Sequence, residues 1–305
     1  MKIIKQPGNY SYAFNRYLEP IACVHTGEEV EIYTEDTFKG RIAKEDVLPE
    51  TALKNMTELN PQTGPIYIEG AKPGDCLAVH ILEIIPTRDW GVSCIQKPLG
   101  GLSPNKYTRM LNPPLEEKTW IYHRDEEGNY IRDEHLRFPY EPFLGTISTA
   151  SALEVISSLT PYELGGNMDV PDVCPGNIVY LPVEVEGGYF FTGDVHAKQG
   201  QGELCGTAIE IAAKVRLRFE LIKGKKICWP RIESPTELMV VGSAKPMEDA
   251  ARIAYAELIA WMGEYGWDAM EAYEALSIDG KLYCANMVDT VYSMVAKVSK
   301  KLAQR

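Results

Sequence analysis

The stretch GDVHAKQGQGELCG, residues 193–206, places Asp194, His196, Gln199, Gln201, Glu203 and Cys205 among glycines. Read as a strand, GGYFFTGDVHA has a period of two, so Phe190, Thr192, Asp194 and His196 share one face and a carboxylate stands beside an imidazole. Gly200 and Gly202 permit a tight reversal, which returns Glu203 toward that face before ELCGTAIEIAAKVRLRFEL leaves as a long strand. An Asp/His/Glu set suits zinc or another divalent ion that keeps one position for water, and such an ion lowers the water pKa to roughly 7. DxH alone reads more simply as a hydrogen-bonded pair at a strand end, so the other polar clusters matter.

In LGGNMDVPD, residues 164–172, Asn167 and Asp169 share a face if the backbone is extended, and Gly165 and Gly166 could turn N–H groups toward a developing oxyanion. The same residues also build Asx-stabilised loops. In YTEDTFKG, residues 33–40, Asp36 falls on the face of Ile32 and Thr34 and reads as an inward carboxylate; an exposed acidic turn is the alternative. NPQTGPIYIEGAKPGD, residues 60–75, reads as a rigid loop forming a pocket wall. Cys205, close to Lys198 and Glu203, is a rival nucleophile, although it opens an apolar strand and free cysteines are usually buried. His80 reads as a sheet-face residue, and His123 and His135 belong to a charged, solvated hairpin, HRDEEGNYIRDEHLR.

The elements that must hold these residues have two textures. Residues 1–240 are mostly β, with short β-branched runs broken by Gly and Pro; KPGDCLAVH and CPGNIVYLP each pair a type II turn with a following strand. Residues 244–277 read as a helical pair, opened by Pro246 with Glu248 and Asp249 and interrupted at Gly263 and Gly266. Residues 281–300 read as two closing strands. At 305 residues and 45% hydrophobic content, the expectation is a mainly β (α+β), sandwich or barrel-like single domain over 1–305, with the helical pair packed on it.

A net charge of -12 repels phosphate backbones and argues against nucleic acid as a partner. The N-terminus MKIIKQPGNYSY lacks the apolar core of a signal peptide and no run is long enough to span a membrane, so a cytoplasmic location is expected. Seven scattered cysteines without a CxxC pair argue against a disulfide framework or a thiolate zinc site.

Taken together, NPQTGPIYIEGAKPGD, GGNMD, GDVHAKQGQGELCGTAIE and MVVGSAKPMEDAARIA resemble the acetamidase/formamidase family of amide hydrolases, which includes enzymes acting on γ-lactams. The resemblance implies a mostly β fold, a homodimer or higher homo-oligomer, and metal-dependent hydrolysis of small linear amides to carboxylate and ammonia. It implies zinc as the ion, with calcium as a candidate second one. Carried onto this chain, Asp36, Asp194 and His196 would hold the metal, Glu203 would act as base and then acid, and Gly166, Asn167 and Asp169 would face the oxyanion and the amide. Two positions depart from the family pattern: Leu164 stands where a His is frequent, and Gln201 where an Asp is common. A γ-lactam hydrolase and a non-catalytic, metal-containing small-molecule binding or assembly protein are the alternatives.

Overall fold

In a computed structural model, which describes residues 1–53, 58–97, 99–103 and 115–304, the alternation of AKVRLRFELI becomes the strand Ala213–Ile222. Its Ala213, Val215, Leu217 and Phe219 are buried and the intervening residues less so, as a strand with one face on the core requires. It lies in a nine-stranded sheet whose spatial order is 2–4, 29–34, 213–222, 76–86, 178–182, 231–233, 237–244, 292–299 and 281–286. A ten-stranded sheet runs 137–138, 130–131, 118–124, 90–95, 210–211, 190–196, 143–148 and 165–167, with strands 62–68 and 22–24 branching from 190–196. Both orders are open, so the mainly β fold is layered and no sheet closes into a barrel. Apolar side chains of both sheets meet in one cluster, Val79, Val215 and Phe219 from the first and Ile66, Leu144 and Val195 from the second.

The strand Phe190–His196 is buried at all seven positions because both its faces are covered. Phe190 and Val195 enter the main core, and Phe191 enters a smaller cluster with Phe14, Tyr162 and Leu164. Asp194 and His196 are therefore polar groups inside the protein, where each needs a partner.

The segment expected to be a loop at 60–75 is a strand over Gln62–Ile68, paired with 190–196 and with 22–24. The aromatic and β-branched PIYI run favours the sheet, and Gly64 and Pro65 fall where the register with 190–196 shifts, the place where a strand tolerates them. Gly74 and Gly176 have φ of +89° and +92°, as the two type II turns require.

The helical pair occupies Met247–Gly263 and Ala269–Asp279. Ala250, Ala254, Leu258 and Trp261 form the buried stripe of the first helix, which packs on strands 237–244 and 292–299. Contact is so close that a Cβ on Gly242 would come within 2.2 Å of the Ala250 carbonyl oxygen. Asp268 caps the second helix by accepting from the amides of Met270 and Glu271. The closing strands are Lys281–Asn286 and Tyr292–Ser299, and the turn between them carries a residue of the site.

Candidate active site

Asp194 and His196 stand at the end of their strand, and the structure brings them together as the period of two requires, with His196 Nε2 3.5 Å from Asp194 Oδ2. Asp194 itself leaves the extended conformation at φ +54°. On the neighbouring strand the same Nε2 lies 3.2 Å from Glu210 Oε2. The reversal after His196 uses positive φ at Gly202, +86°, and returns Glu203 to the cluster as expected, at φ +50°. Asp169 also has φ +50°. Non-glycine residues are uncommon in this left-handed region, though Asp enters it more readily than Glu; three of them converging on one imidazole mark a place where backbone strain is held by its surroundings.

A hydrogen-bonded frame of amides surrounds the acids. Asn167 Nδ2 donates to Asp169 Oδ2 at 3.0 Å and to Asp289 Oδ2 at 2.8 Å. Asn286 Nδ2 donates to Asp169 Oδ2 at 2.5 Å and also to Asp289 Oδ2. Asn60 Nδ2 donates to Asn167 Oδ1 at 2.7 Å, which leaves the Asn167 amide nitrogen turned toward the carboxylates. Ala208 N donates to Glu210 Oε1 at 2.9 Å. Gly145 is needed for the approach of two acids, because a Cβ there would sit 2.6 Å from Asp169 Oδ1 and 2.7 Å from Asp194 Oδ2.

Five carboxylates, of Asp169, Asp194, Glu203, Glu210 and Asp289, are thus buried around one imidazole. For four of these acids burial is the largest influence: it raises Glu210 and Asp289 to about 7 and puts Asp169 and Glu203 well above the ordinary carboxylate range. Burial pushes His196 down, but the Glu210 and Asp194 carboxylates outweigh it and the net displacement is upward.

The donor atoms of Asp194, His196 and Glu210 all lie within 4.8 Å of one another, and so do those of Asp169, His196 and Glu203. His196 Nε2, Glu210 Oε2 and Asp169 Oδ1 are buried without a hydrogen bond. Buried polar atoms without a hydrogen bond are costly, and a divalent cation would satisfy several at once; the residues present therefore fit a metal ion. Beside them is a cavity of about 20 Å³, lined by Asn60, Asn167, Asp194, Glu203, Glu210 and Asp289 and walled by Leu59, Leu99 and Leu159. A space of that size holds about one water molecule.

Two sequence assignments end elsewhere. The carboxylate of Asp36 accepts from the amides of Phe38 and Gly40 and pairs with Arg88, so it stands in neither donor set. Its inward direction was legible, but the long-range guanidinium that claims it was not. Gly166 does not line the cavity: its φ of +85° serves backbone packing, since a Cβ would meet the Thr160 carbonyl oxygen at 2.2 Å, and the Gly165 amide donates to Tyr162. Leu164 is buried with Phe14 and Phe191, and Gln201 is exposed, so neither departure from the family pattern falls on the cavity wall. The Cys205 thiol is raised by burial and then by the Glu203 charge, which opposes a nucleophilic thiolate.

Sequence reading missed Glu210, Asp289, Asn60 and Asn286 as members of the site. Glu210 carried a signal, a lone acid inside the apolar run TAIEIAA. Asp289 carried none, because its position depends on the turn between two C-terminal strands.

The sequence matches the acetamidase/formamidase family over residues 4–160 and 154–296. The chain belongs to this family. The crystal structure of an acetamidase from Yersinia enterocolitica is 40% identical and superposes with a TM-score of 0.96, covering 100% of this chain and 93% of that one. A formamidase of Methylophilus methylotrophus is 27% identical over 270 residues, 72% of this chain and 65% of its own length. This chain thus spans slightly less than two thirds of that formamidase. A γ-lactamase of Delftia acidovorans shares the fold at a TM-score of 0.64 and 20% identity, over 96% of this chain and 88% of that one. No described helix of this acetamidase/formamidase family member is long and apolar enough to cross a membrane.

Proposed function

We propose that the protein hydrolyses the C–N bond of small linear amides of the formamide and acetamide type, releasing carboxylate and ammonia with the help of a divalent ion, zinc in our reading. The observation that carries the reading is the convergence of His196 Nε2 and Glu210 Oε2, buried and without a hydrogen bond, beside Asp194. One nitrogen and two carboxylate donors form a recurrent zinc set, and bound zinc polarises an amide carbonyl and makes a bound water acidic near neutral pH.

The side chains of the site perform the remaining work. An amide has a weakly electrophilic carbonyl and a poor leaving group, so its hydrolysis needs a base for water and an acid for nitrogen. Glu203 lines the cavity and its raised affinity for protons suits it to take one from water and return it to the departing amine. Asn167, which lines the cavity, is proposed to orient the substrate amide, with Asp169 behind it accepting a hydrogen bond from its amide nitrogen. The narrowness of the cavity and its leucine wall argue against bulky acyl groups. The second donor set, Asp169, His196 and Glu203, shares the imidazole with the first, so an ion there, calcium for example, would replace the zinc and the base rather than join them. Assembly into a homodimer or larger homo-oligomer and a cytoplasmic location are part of the same reading.

Ammonia release from formamide, acetamide and a γ-lactam, before and after chelation and with zinc restored, tests it. Turnover of the linear amides that is lost with the metal and regained with zinc is the expected result. Turnover of the lactam alone would transfer the assignment to cyclic amides, and no turnover of any of them with metal bound would favour a binding protein.

A further inference from the structure

Gln199 lies outside both donor sets, yet it touches two segments that supply donors and a third, at Ala285, that precedes the Asn286 holding one of them. Its Nε2 donates to the carbonyl oxygens of Asp169 at 2.8 Å and Ala285 at 3.1 Å. Its Oε1 lies 2.9 Å from His196 Nδ1. The amide orientation is dictated by these partners: the reverse orientation would set Oε1 against two carbonyl oxygens, which donate nothing. Because Oε1 is only an acceptor, the hydrogen atom in the Gln199–His196 bond belongs to Nδ1. The ring is also braced by the edge-on Phe143, with centroids 4.9 Å apart and planes at 82°.

We infer that Gln199 is a positioning residue that holds His196 with its proton on Nδ1 and presents the Nε2 lone pair to a cation between Asp194 and Glu210. This rests on the metal reading above and adds to it the group that selects the ligating nitrogen. The selection matters because Nδ1 and Nε2 lie on opposite sides of the interaction: Nε2 is the atom within 3.5 Å of both carboxylates, while Nδ1 faces the amide. Without an acceptor at Nδ1 either nitrogen could carry the hydrogen, and only one of those two forms leaves Nε2 free for a cation. The two carbonyl contacts extend the effect. One anchors the main chain of Asp169 and the other the residue before Asn286, whose amide holds the Asp169 carboxylate. An outer partner of a ligating histidine is worth about 10- to 100-fold in metal affinity.

The test uses the full chain with its five histidines labelled with a nitrogen isotope for NMR, and zinc affinity measured by competition with a chromophoric chelator. In the zinc-loaded wild type, His196 is expected to carry a slowly exchanging proton on Nδ1 and to show the zinc perturbation on Nε2. Gln199→Met should bind zinc about 10- to 100-fold more weakly and exchange that proton faster. Gln199→Glu keeps an acceptor at Nδ1 but gives up the donations to the two carbonyl oxygens, so it should retain the tautomer and exchange the Nδ1 proton more slowly than Gln199→Met. A wild-type Nδ1 without a proton overturns the inference even if no variant folds. So does a Gln199→Met protein with wild-type affinity and exchange. If the wild type takes up no zinc, the metal reading fails by itself. In that case a slow Nδ1 proton in the wild type that becomes fast in Gln199→Met still upholds the role of Gln199.

Discussion

Removing the proposed metal should invert the usual acid sensitivity of a protein. Glu210 has an ordinary value of 4.5 and is raised to about 7 by burial in the metal-free fold. The folded state therefore holds a proton that the unfolded chain releases from about pH 4.5 upward, and stability falls as pH rises through that window. At about 1.4 kcal/mol per pH unit, Glu210 alone accounts for roughly 3 kcal/mol lost between pH 5 and 8. Asp289, also raised to about 7, acts with the same sign, but the two share one cluster and their contributions do not simply add. His196, raised by its carboxylate neighbours, also loses its stabilising proton as pH rises. For a chain of this length roughly 3 kcal/mol corresponds to a fall of about 5 °C in Tm. The assay is thermal unfolding of chelator-treated protein at pH 5 and pH 8, with zinc-loaded protein and the metal-free Glu210→Gln variant beside it. Zinc should flatten the profile by compensating the acids, and Glu210→Gln should shrink the fall. A metal-free Tm that is level or higher at pH 8 would refute the account of the buried carboxylates.

Three substitutions probe the separate parts of the site. Glu203→Gln should lower kcat by about 100-fold or more while the zinc content, measured by atomic absorption, stays near that of the wild type, because Asp194, His196 and Glu210 keep their donors. Gly145→Ala puts a methyl group within 2.7 Å of two carboxylates and should cost about 1–3 kcal/mol in denaturant unfolding together with much of the zinc affinity; unchanged affinity would contradict the close approach. Asp36→Asn removes one of the two carboxylates that pair with Arg88, which keeps Glu35, and should destabilise the fold by about 1 kcal/mol without altering zinc stoichiometry, whereas loss of zinc would restore Asp36 to the ligand set.

Local rules in the sequence determined a good part of this molecule. Period-two alternation placed Asp194 with His196, the glycine reversal returned Glu203, and proline, acidic residues and glycine marked the limits of the helical pair. These are short-range consequences of backbone geometry and side-chain spacing, so a single chain reveals them. Tertiary structure alone decided which distant groups meet. Glu210 joins His196 only because strands 190–196 and 210–211 pair, and Asp289 reaches Asn167 across 122 residues because the last strands fold back beside the site. Asp36 shows the same limit from the other side: its inward direction was readable, but Arg88, 52 residues away, claims its charge. Strand pairing brings together residues far apart in sequence, and the attraction between buried charges then selects partners that spacing along the chain cannot show.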